Sequence, residues 1–329
     1  MSTLNARFRQ EILKATGASD LFELEVIQNL WSGYGKILRI GLADCDKESV
    51  VVKHVRLPKA KKHPRGWNTD LSHQRKVRSY EIETYWYKNY ARFCDDSCKI
   101  PNCLAYDTES DEVLLILEDL DASGFSLRKN SVSMNDIKAC LTWLANFHAT
   151  FLHKKPEGLW KVGTYWHLDT RPDELKVMDD KQLKAAAPQV DEWLNSSPYL
   201  TFVHGDAKLA NFCFSDNGQG VAAVDFQYVG GGVGVKDVAY FIGSCLYEED
   251  CEKQETTLLN FYFNQLKQAL DKKSIKVDFE ELEKNWRELY PVAWTDFHRF
   301  LKGWSPDHWK INSYSERLAR ETIAKINKR

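Results

Sequence analysis

Long hydrophobic runs are missing from this sequence of 329 residues. No apolar stretch approaches the roughly 20 residues that an α-helix needs to span a bilayer. The first residues, Met1 to Arg7, lead into a mixed polar stretch that lacks the apolar core of a secretory signal. These absences predict no membrane insertion, and they favour a cytoplasmic location.

An excess of charge of either sign is also missing. The chain has 45 Lys and Arg residues against 47 Asp and Glu residues, which gives a formal net charge of −2 at pH 7. Nothing in this balance argues for binding to nucleic acid or to an anionic membrane surface. The sequence therefore predicts no nucleic-acid partner, and no segment of it indicates a protein partner.

A standard zinc pattern is missing as well, although the chain has eight cysteines. Cys94, Cys98 and Cys103 lie close together, but their spacing is not that of a zinc site and no paired set of ligands follows. Most of the other cysteines lie in apolar runs, as small buried thiols do. A reduced, cytoplasmic protein is the simplest interpretation.

The most informative stretch is His204-Gly205-Asp206-Ala207-Lys208-Leu209-Ala210-Asn211, with Val224-Asp225-Phe226 after it. It places an Asp, a Lys and an Asn on a short turn, and a second Asp follows 14 residues after the Asn. Phosphoryl transfer from a magnesium-bound nucleotide uses this set. One carboxylate orients the attacking hydroxyl, an amide oxygen and another carboxylate hold the metal, and a cation neutralises the moving phosphate.

The residues around this stretch predict strands in the right places. Leu200–Val203 is a short apolar run that leads into the turn, and 211–214 and 221–224 indicate two further strands. Asp216-Asn217-Gly218 supplies a hairpin turn between them. The hairpin returns the chain, so we expect Asp225 to end beside Asn211, where two oxygen ligands can hold Mg²⁺.

The motif resembles the catalytic loop of protein kinases, H-R-D-x-K-x-x-N, with Gly205 in place of Arg. Its H-G-D form is similar to that of the aminoglycoside phosphotransferase and choline kinase branch, which phosphorylates small molecules. Within that branch, the spacing and the segment Leu117-Glu118-Asp119-Leu120 most resemble the ecdysteroid-kinase-like group. The resemblance implies an enzyme, a phosphotransferase that uses ATP and Mg²⁺ and has an alcohol group as acceptor.

The resemblance also implies a role for each residue of the motif. Asp206 is the catalytic base, Lys208 contacts the γ-phosphate, and Asn211 and Asp225 are the metal ligands. His204 is expected to pack and to support the loop rather than to act as a base.

Asp237 and His148 are likewise expected to support the structure. Asp237 begins a helix and could be an N-cap, and the resemblance implies that it also braces the catalytic loop. His148 is expected to be a packed residue of a buried helix.

The fold class implied is α+β, a bilobal protein-kinase-like fold. Residues 1–118 would form a nucleotide-binding lobe with a small antiparallel sheet and one main helix, and residues 119–329 a larger, mostly helical lobe for catalysis and substrate binding. Helical patterns in the second lobe are expected at 179–195, 237–248, 253–270, 278–290 and 314–327.

A glycine-containing hairpin and a lysine strand suggest how the first lobe would hold phosphates. Gly33, Tyr34 and Gly35 lie at a hairpin tip whose backbone N–H groups could approach phosphates closely. Lys53 lies inside the apolar strand 49–55, where burial is costly unless the charge is paired. The resemblance implies that Lys53 contacts the α- and β-phosphates. The basic run at 58–66 is ordinary solvated surface or gathers anionic substrate groups.

The partner of Lys53 is expected on the helix at 74–92. Glu83 fits the family's E-x-x-aromatic-Tyr pattern, and Glu81 is the alternative. Two residues apart on a helix, the two side chains cannot face the same way. After the strand 113–117, Glu118 and Leu120 lie where kinase-like folds have the hinge between lobes, whose main-chain groups bind the adenine edge.

Only 11 residues separate Asp225 from Asp237, and no Ala-Pro-Glu element follows. This short, glycine-rich segment, interpreted as a turn, cannot form the peptide platform of a protein kinase. The Asp-Phe-Gly element is also absent, because Gln227 follows Phe226. A small-molecule hydroxyl substrate is therefore expected, and a nucleotide-binding pseudokinase or scaffold is the alternative function.

The acceptor itself is not identified. Eleven Trp residues are many for one chain, and several lie in 157–171 and 286–310. They could fill a core, or they could form aromatic walls for a flat apolar or quaternary ammonium ligand, with Asp307 meeting a cation. Choline-like, aminoglycoside-like, sugar and steroid-like alcohols all remain open as acceptors.

Overall fold

The computed structural model describes residues 4–30, 33–56, 70–109, 112–218 and 220–328. The basic run at 58–66 and the hairpin-tip residues Trp31 and Ser32 lie outside the described residues. The chain divides into two compact units. We call them the sheet unit, which comprises 1–93, 100–127 and 213–224, and the helical unit, which comprises 94–99, 128–212 and 225–329. The assignment of nucleotide binding to 1–118 and of catalysis to 119–329 stays a prediction.

The sheet unit is built on a five-stranded antiparallel sheet with the strand order β1-β2-β3-β5-β4. The small N-terminal antiparallel sheet that the sequence predicts is thus confirmed. Its strands are β1 (Asp20–Asn29), β2 (Gly35–Ala43), β3 (Ser49–Arg56), β4 (Cys103–Glu109) and β5 (Glu112–Glu118).

Helix α1 (Ala6–Thr16) covers one part of this sheet. Asn5 caps its first turn by accepting a hydrogen bond from the N–H of Phe8, and Gly17 ends it in the left-handed conformation. Phe8 and Ile12 are buried together with the β-branched residues of β3, whose alternate side chains face the same core. Burial of this apolar face holds the helix in place.

Helix α2 (Asp70–Asn89) is the main helix of the sheet unit, as predicted. Its aromatic residues Tyr80 and Trp86 are fully buried, and so is Ile82. The hairpin that follows the motif also belongs to this unit. It joins β7 (Phe212–Phe214) to β8 (Val221–Ala223), and Gly218 at its turn has a φ of 69°.

The helical unit contains most of the remaining helices, as the fold class requires. Its helices are α3 (Met134–Phe151), α4 (Pro172–Val177), α5 (Lys181–Asn195), α6 (Val235–Cys245), α7 (Glu248–Lys272), α8 (Phe279–Trp304) and α9 (Ser313–Ile326). No helix among the described residues is both long enough and apolar enough to cross a membrane.

Helix α8 is longer than the sequence pattern indicates. The expected end at residue 290 is wrong, because the helix runs through Pro291 to Trp304. Proline lacks an N–H and usually ends a helix. Here the buried face continues on both sides of it, through Trp286 and Phe297, so packing outweighs the local cost.

The glycine-rich segment after Asp225 also differs from expectation. It is not a turn, because Gly230–Gly232 forms strand β9, which pairs antiparallel with β6 (Thr201–Val203). A Cβ on Gly230 would lie 2.3 Å from the carbonyl oxygen of Trp160. The glycines therefore allow a neighbouring segment to approach the strand closely.

Candidate active site

The Asp206 turn follows β6 directly, and a glycine makes its geometry possible. Gly205 has a φ of 80°, and a Cβ there would lie 2.1 Å from the carbonyl oxygen of Tyr228. Only glycine adopts this conformation without strain and also leaves that space. This explains why the chain has Gly where the protein-kinase loop has Arg.

Asp237, in the first turn of α6, fixes the backbone of the same turn. Its carboxylate accepts hydrogen bonds from the N–H of His204 at 2.6 Å and from the N–H of Gly205 at 3.0 Å. Its oxygen also lies 3.2 Å from Nε2 of His148, whose Nδ1 lies 2.7 Å from the hydroxyl of Tyr262. All of these groups are buried. The predicted bracing role of Asp237 and the structural role of His148 are confirmed.

His204 supports the turn from inside. Its side chain is fully buried, its Nδ1 accepts a hydrogen bond from the N–H of Asp206 at 3.2 Å, and its ring packs 4.7 Å from that of Phe226. The ring therefore helps to orient Asp206, and the expectation that His204 supports the loop is confirmed.

The carboxylate of Asp206 receives donors on both oxygens. Oδ2 accepts from Nζ of Lys208 at 3.0 Å and from Nδ2 of Asn211 at 3.2 Å. Oδ1 accepts from the hydroxyl of Tyr240 at 3.1 Å. Three donors from two segments hold the carboxylate in one orientation, which a positioned base requires.

Burial raises the pKa of the Asp206 carboxyl above its ordinary value, the charge of Lys208 opposes this, and the carboxylate of Asp225 adds to it. The two carboxylates outweigh burial at Lys208 and raise its pKa, so that lysine stays charged. Burial and Asp206 together raise the pKa of Tyr240, which keeps its hydroxyl a donor. Asp206 is thus a carboxylate with more basicity than an exposed one.

Asn211 and Asp225 offer a donor set that fits Mg²⁺. Both side-chain hydrogen bonds of Asn211 use its amide nitrogen, so its oxygen accepts none from the described residues. Asp225 lies near enough to Asp206 for the two carboxylates to repel, and a divalent cation would relieve that repulsion. Hard oxygen ligands of this kind suit Mg²⁺. No group of three His, Cys, Asp or Glu side chains within the described ranges could hold a metal ion.

The backbone of Asp225 is held in an uncommon conformation. Its φ is 70°, in the left-handed region that non-glycine residues rarely adopt, at a cost of about 1–3 kcal/mol. Nε2 of Gln227 donates to its Oδ1 at 2.6 Å. Gln227 stands where protein kinases have the glycine of Asp-Phe-Gly, so here a side chain orients the aspartate.

In the sheet unit, Lys53 and Glu83 form a buried ion pair. Nζ of Lys53 donates to Oε2 of Glu83 at 2.6 Å, and the side chains are 5% and 2% exposed. Glu81 instead lies on the exposed side of α2, 3.0 Å from Arg78. The predicted pairing with Glu83 is confirmed, and the alternative is excluded.

The hairpin tip favours glycine at both Gly33 and Gly35, whose φ values are 75° and 140°. A Cβ on Gly35 would lie 2.0 Å from the carbonyl oxygen of His54. The N–H of Gly33 donates to the carbonyl of Leu30 at 3.2 Å, inside the turn. Tyr34 points into the core, where its hydroxyl lies 2.7 Å from Nδ1 of His73. Phosphate contacts of this tip would therefore come from its backbone.

The segment after β5 is held by its own side chains. Oε2 of Glu118 accepts from both nitrogens of Asn102, at 2.9 and 2.8 Å. Leu120 is buried against Cys213, and its carbonyl accepts from the N–H of Phe125 at 2.8 Å. Adenine binding by this segment stays a prediction.

Three residues of these sites were not singled out in the sequence. Asp119 is buried and accepts hydrogen bonds from Arg39 and Ser49, each at 2.7 Å. Tyr240 lies three residues after Asp237, one helical turn along, and that spacing could have indicated it. Lys310, whose Nζ lies 4.9 Å from the ring centroid of Tyr240, had no such signal.

Comparison with known proteins places the chain in a family. The family model of the ecdysteroid kinase-like family matches residues 60–161 and 163–275, more than half of the chain. The chain belongs to the ecdysteroid kinase-like family. No curated protein matches the chain significantly.

Solved structures show the same fold at low sequence identity. A microcompartment-associated aminopropanol kinase is 13% identical over 99% of this chain and 99% of its own, with a TM-score of 0.54. The amicoumacin kinase hAmiN, in complex with AMP-PNP, Ca²⁺ and Ami, is 12% identical over 99% of this chain and 94% of its own, with a TM-score of 0.51. An ethanolamine kinase of Plasmodium vivax is 13% identical over 98% and 95%, with a TM-score of 0.50. The predicted kinase-like fold is confirmed.

Proposed function

We propose that this protein is an ATP- and Mg²⁺-dependent kinase that transfers the γ-phosphate to the hydroxyl of a small-molecule alcohol. The observation that carries the proposal is the Asp206 carboxylate, which is buried, basic and held by Lys208, Asn211 and Tyr240. Membership of the ecdysteroid kinase-like family supports the same reaction class.

In the proposed reaction, Asp206 orients the acceptor hydroxyl and accepts its proton. The acceptor oxygen bonds to the γ-phosphorus, the bond from that phosphorus to the bridging oxygen breaks, and ADP leaves. Lys208 and Lys53 neutralise phosphate charge. Positioning and electrostatics of this kind account for most of the rate gain in phosphoryl transfer.

Asn211 and Asp225 would hold the metal. Mg²⁺ held there would supply positive charge that neutralises the charge developing on the transferred phosphate. Asp237 and His204 contribute by keeping the turn rigid, and Gln227 by orienting Asp225. A cytoplasmic site of action stays part of this proposal.

The related proteins are named after several different alcohols, so no single alcohol can be chosen as the acceptor. Aminopropanol and ethanolamine appear in the names of two structural neighbours, and an ecdysteroid is the substrate in the family's name. Amino alcohols and steroid-like alcohols therefore belong in a first panel, together with sugars and aminoglycosides.

The test is ADP release from Mg-ATP across that panel, with Asp206→Asn as the control. We expect at least one alcohol to stimulate release by the parent protein and none to stimulate the variant. If no alcohol stimulates release while Mg-ATP still binds, a nucleotide-binding pseudokinase is the better description.

A further inference from the structure

Lys310 is a buried lysine in the segment before α9, in the same unit as Asp206. Its Nζ lies 4.9 Å from the ring centroid of Tyr240, 5.5 Å from that of Phe297 and 5.5 Å from that of Trp309. Three ring faces around one ammonium make an aromatic cage. We call these four side chains the lysine cage.

No carboxylate within the described part of the chain forms an ion pair with Lys310, although the residue is only 9% exposed. Burial lowers its pKa to about 8. Another buried lysine of the unit, Lys236, lies 3.4 Å from Asp296. An unpaired buried cation is costly, so its presence requires a reason.

The lysine cage lies beside the proposed base. Tyr240 belongs to both, because its hydroxyl donates to Asp206 while its ring faces Lys310. The charges of Asp206 and Lys208 also act on Lys310. An acceptor whose hydroxyl contacts Asp206 would therefore be exposed to the positive electrostatic potential of Lys310.

The cage also has an open edge. Trp309 is 48% exposed, and its ring lies 5.1 Å from that of Tyr247, which is exposed as well. Trp304, 45% exposed, stacks on Phe300 at 5.5 Å. Apolar ring faces are thus accessible near the cage, although the cage itself is filled by the protein's own ammonium.

We propose that Lys310 determines specificity in the acceptor site, admitting neutral or anionic alcohols beside Asp206 and excluding alcohols that carry an ammonium group. The inference rests on the proposed function. An ammonium on the acceptor would compete with Lys310 for the same ring faces, and two cations would repel strongly there because water is largely excluded.

The first test is binding of tetramethylammonium, a cation that needs an unoccupied cage, measured by ligand-observed NMR. We expect the parent protein to bind the cation weakly, and Lys310→Ala to bind it at least about tenfold more tightly than the parent does. Lys302→Ala is the matched control, because Lys302 pairs with Asp180 and Glu316 instead of with rings. It should resemble the parent.

If Lys310→Ala does not fold, Lys310→Gln removes the charge while keeping most of the side chain, and it should also bind the cation more tightly than the parent. Cation binding by the parent equal to that of the folded Lys310 variant would overturn the proposal. This measurement requires no phosphate transfer, so it separates failure of the inference from failure of the proposed kinase activity.

The second test compares two acceptors of nearly the same shape, choline and its uncharged analogue 3,3-dimethylbutan-1-ol. The ratio of kcat/KM for the neutral over the charged alcohol should be high in the parent and fall about tenfold in Lys310→Gln. A purely structural role would lower both rates and leave the ratio unchanged, which contradicts the proposal. If neither alcohol is an acceptor, the tetramethylammonium result decides.

Discussion

Lys53 in the sheet unit and Lys310 in the helical unit are both buried lysines, but their charges are compensated differently. Lys53 pairs with Glu83 at 2.6 Å. Lys310 rests on ring faces and has no carboxylate partner among the described residues. The ion pair of Lys53 stabilises the fold, whereas the ammonium of Lys310 remains able to attract or repel a charged ligand. Lys53 is thus held in place by its carboxylate partner, whereas Lys310 is proposed to discriminate between acceptors by their charge.

The largest expected effect is on the paired lysine. Lys53→Met removes the ammonium that pairs with the buried Glu83 carboxylate, which should destabilise the protein by about 3–5 kcal/mol, measured by denaturant unfolding. The double variant Lys53→Met, Glu83→Met should recover most of that loss. Glu81→Gln, on the exposed side of α2, is the control and should change little. If Lys53→Met alone were as stable as the parent protein, the ion pair with Lys53 would not be what stabilises the buried Glu83 carboxylate.

The unpaired lysine should respond in the opposite direction. Lys310→Met removes a buried charge and leaves no carboxylate behind, so the protein should be unchanged or up to about 2 kcal/mol more stable at pH 7. The same unfolding experiment measures it. A loss as large as that of Lys53→Met would mean that Lys310 has a stabilising partner, and the contrast between the two lysines would fail.

Tyr240 connects the lysine cage to Asp206, and its removal should have a smaller effect. Tyr240→Phe removes one hydrogen bond to the carboxylate, so kcat/KM should fall about tenfold. That bond favours the charged form of Asp206, so its loss should raise the pKa of the carboxyl and move the acid limb of the pH profile to higher pH. A uniform fall in rate with no shift of the profile would contradict this role.

The smallest effect is a pH dependence of stability. The pKa of Lys310 is lowered from 10.5 to about 8, so between these values the unfolded chain binds more protons than the folded one. The parent should therefore gain stability as pH rises through that window. The difference in stability between the parent and Lys310→Met should become smaller. Melting temperatures of both proteins from pH 7 to about 10 measure it. A constant difference would contradict a buried, charged Lys310.

These two lysines also show what the sequence could predict. A lysine in an apolar strand followed by a helix with two glutamates is a local pattern, and it predicted both the site and the two possible partners. Two of the three rings around Lys310 lie on helices outside its own segment, Tyr240 on α6 and Phe297 on α8. The sequence of residues 305–312 has no pattern from which the packing of Lys310 against the rings of Tyr240 and Phe297 could be predicted.

The Asp206 motif was predictable for the same local reason, since its residues lie within one turn and one hairpin. Two elements were not. Pro291 suggested the end of a helix that packing carries to Trp304, and the glycines after Asp225 suggested a turn where Gly230–Gly232 forms a strand. In both cases tertiary contacts outweighed a local preference.

Asp206 is the proposed base for phosphate transfer to an alcohol. The most direct test of this role follows labelled γ-phosphate from Mg-ATP to the acceptor in the parent protein and in Asp206→Asn, with nucleotide binding measured alongside. We expect the variant to bind Mg-ATP as the parent does and to form the phosphate ester about 10²–10⁴-fold more slowly. Ester formation at the parent rate by Asp206→Asn would contradict the claim.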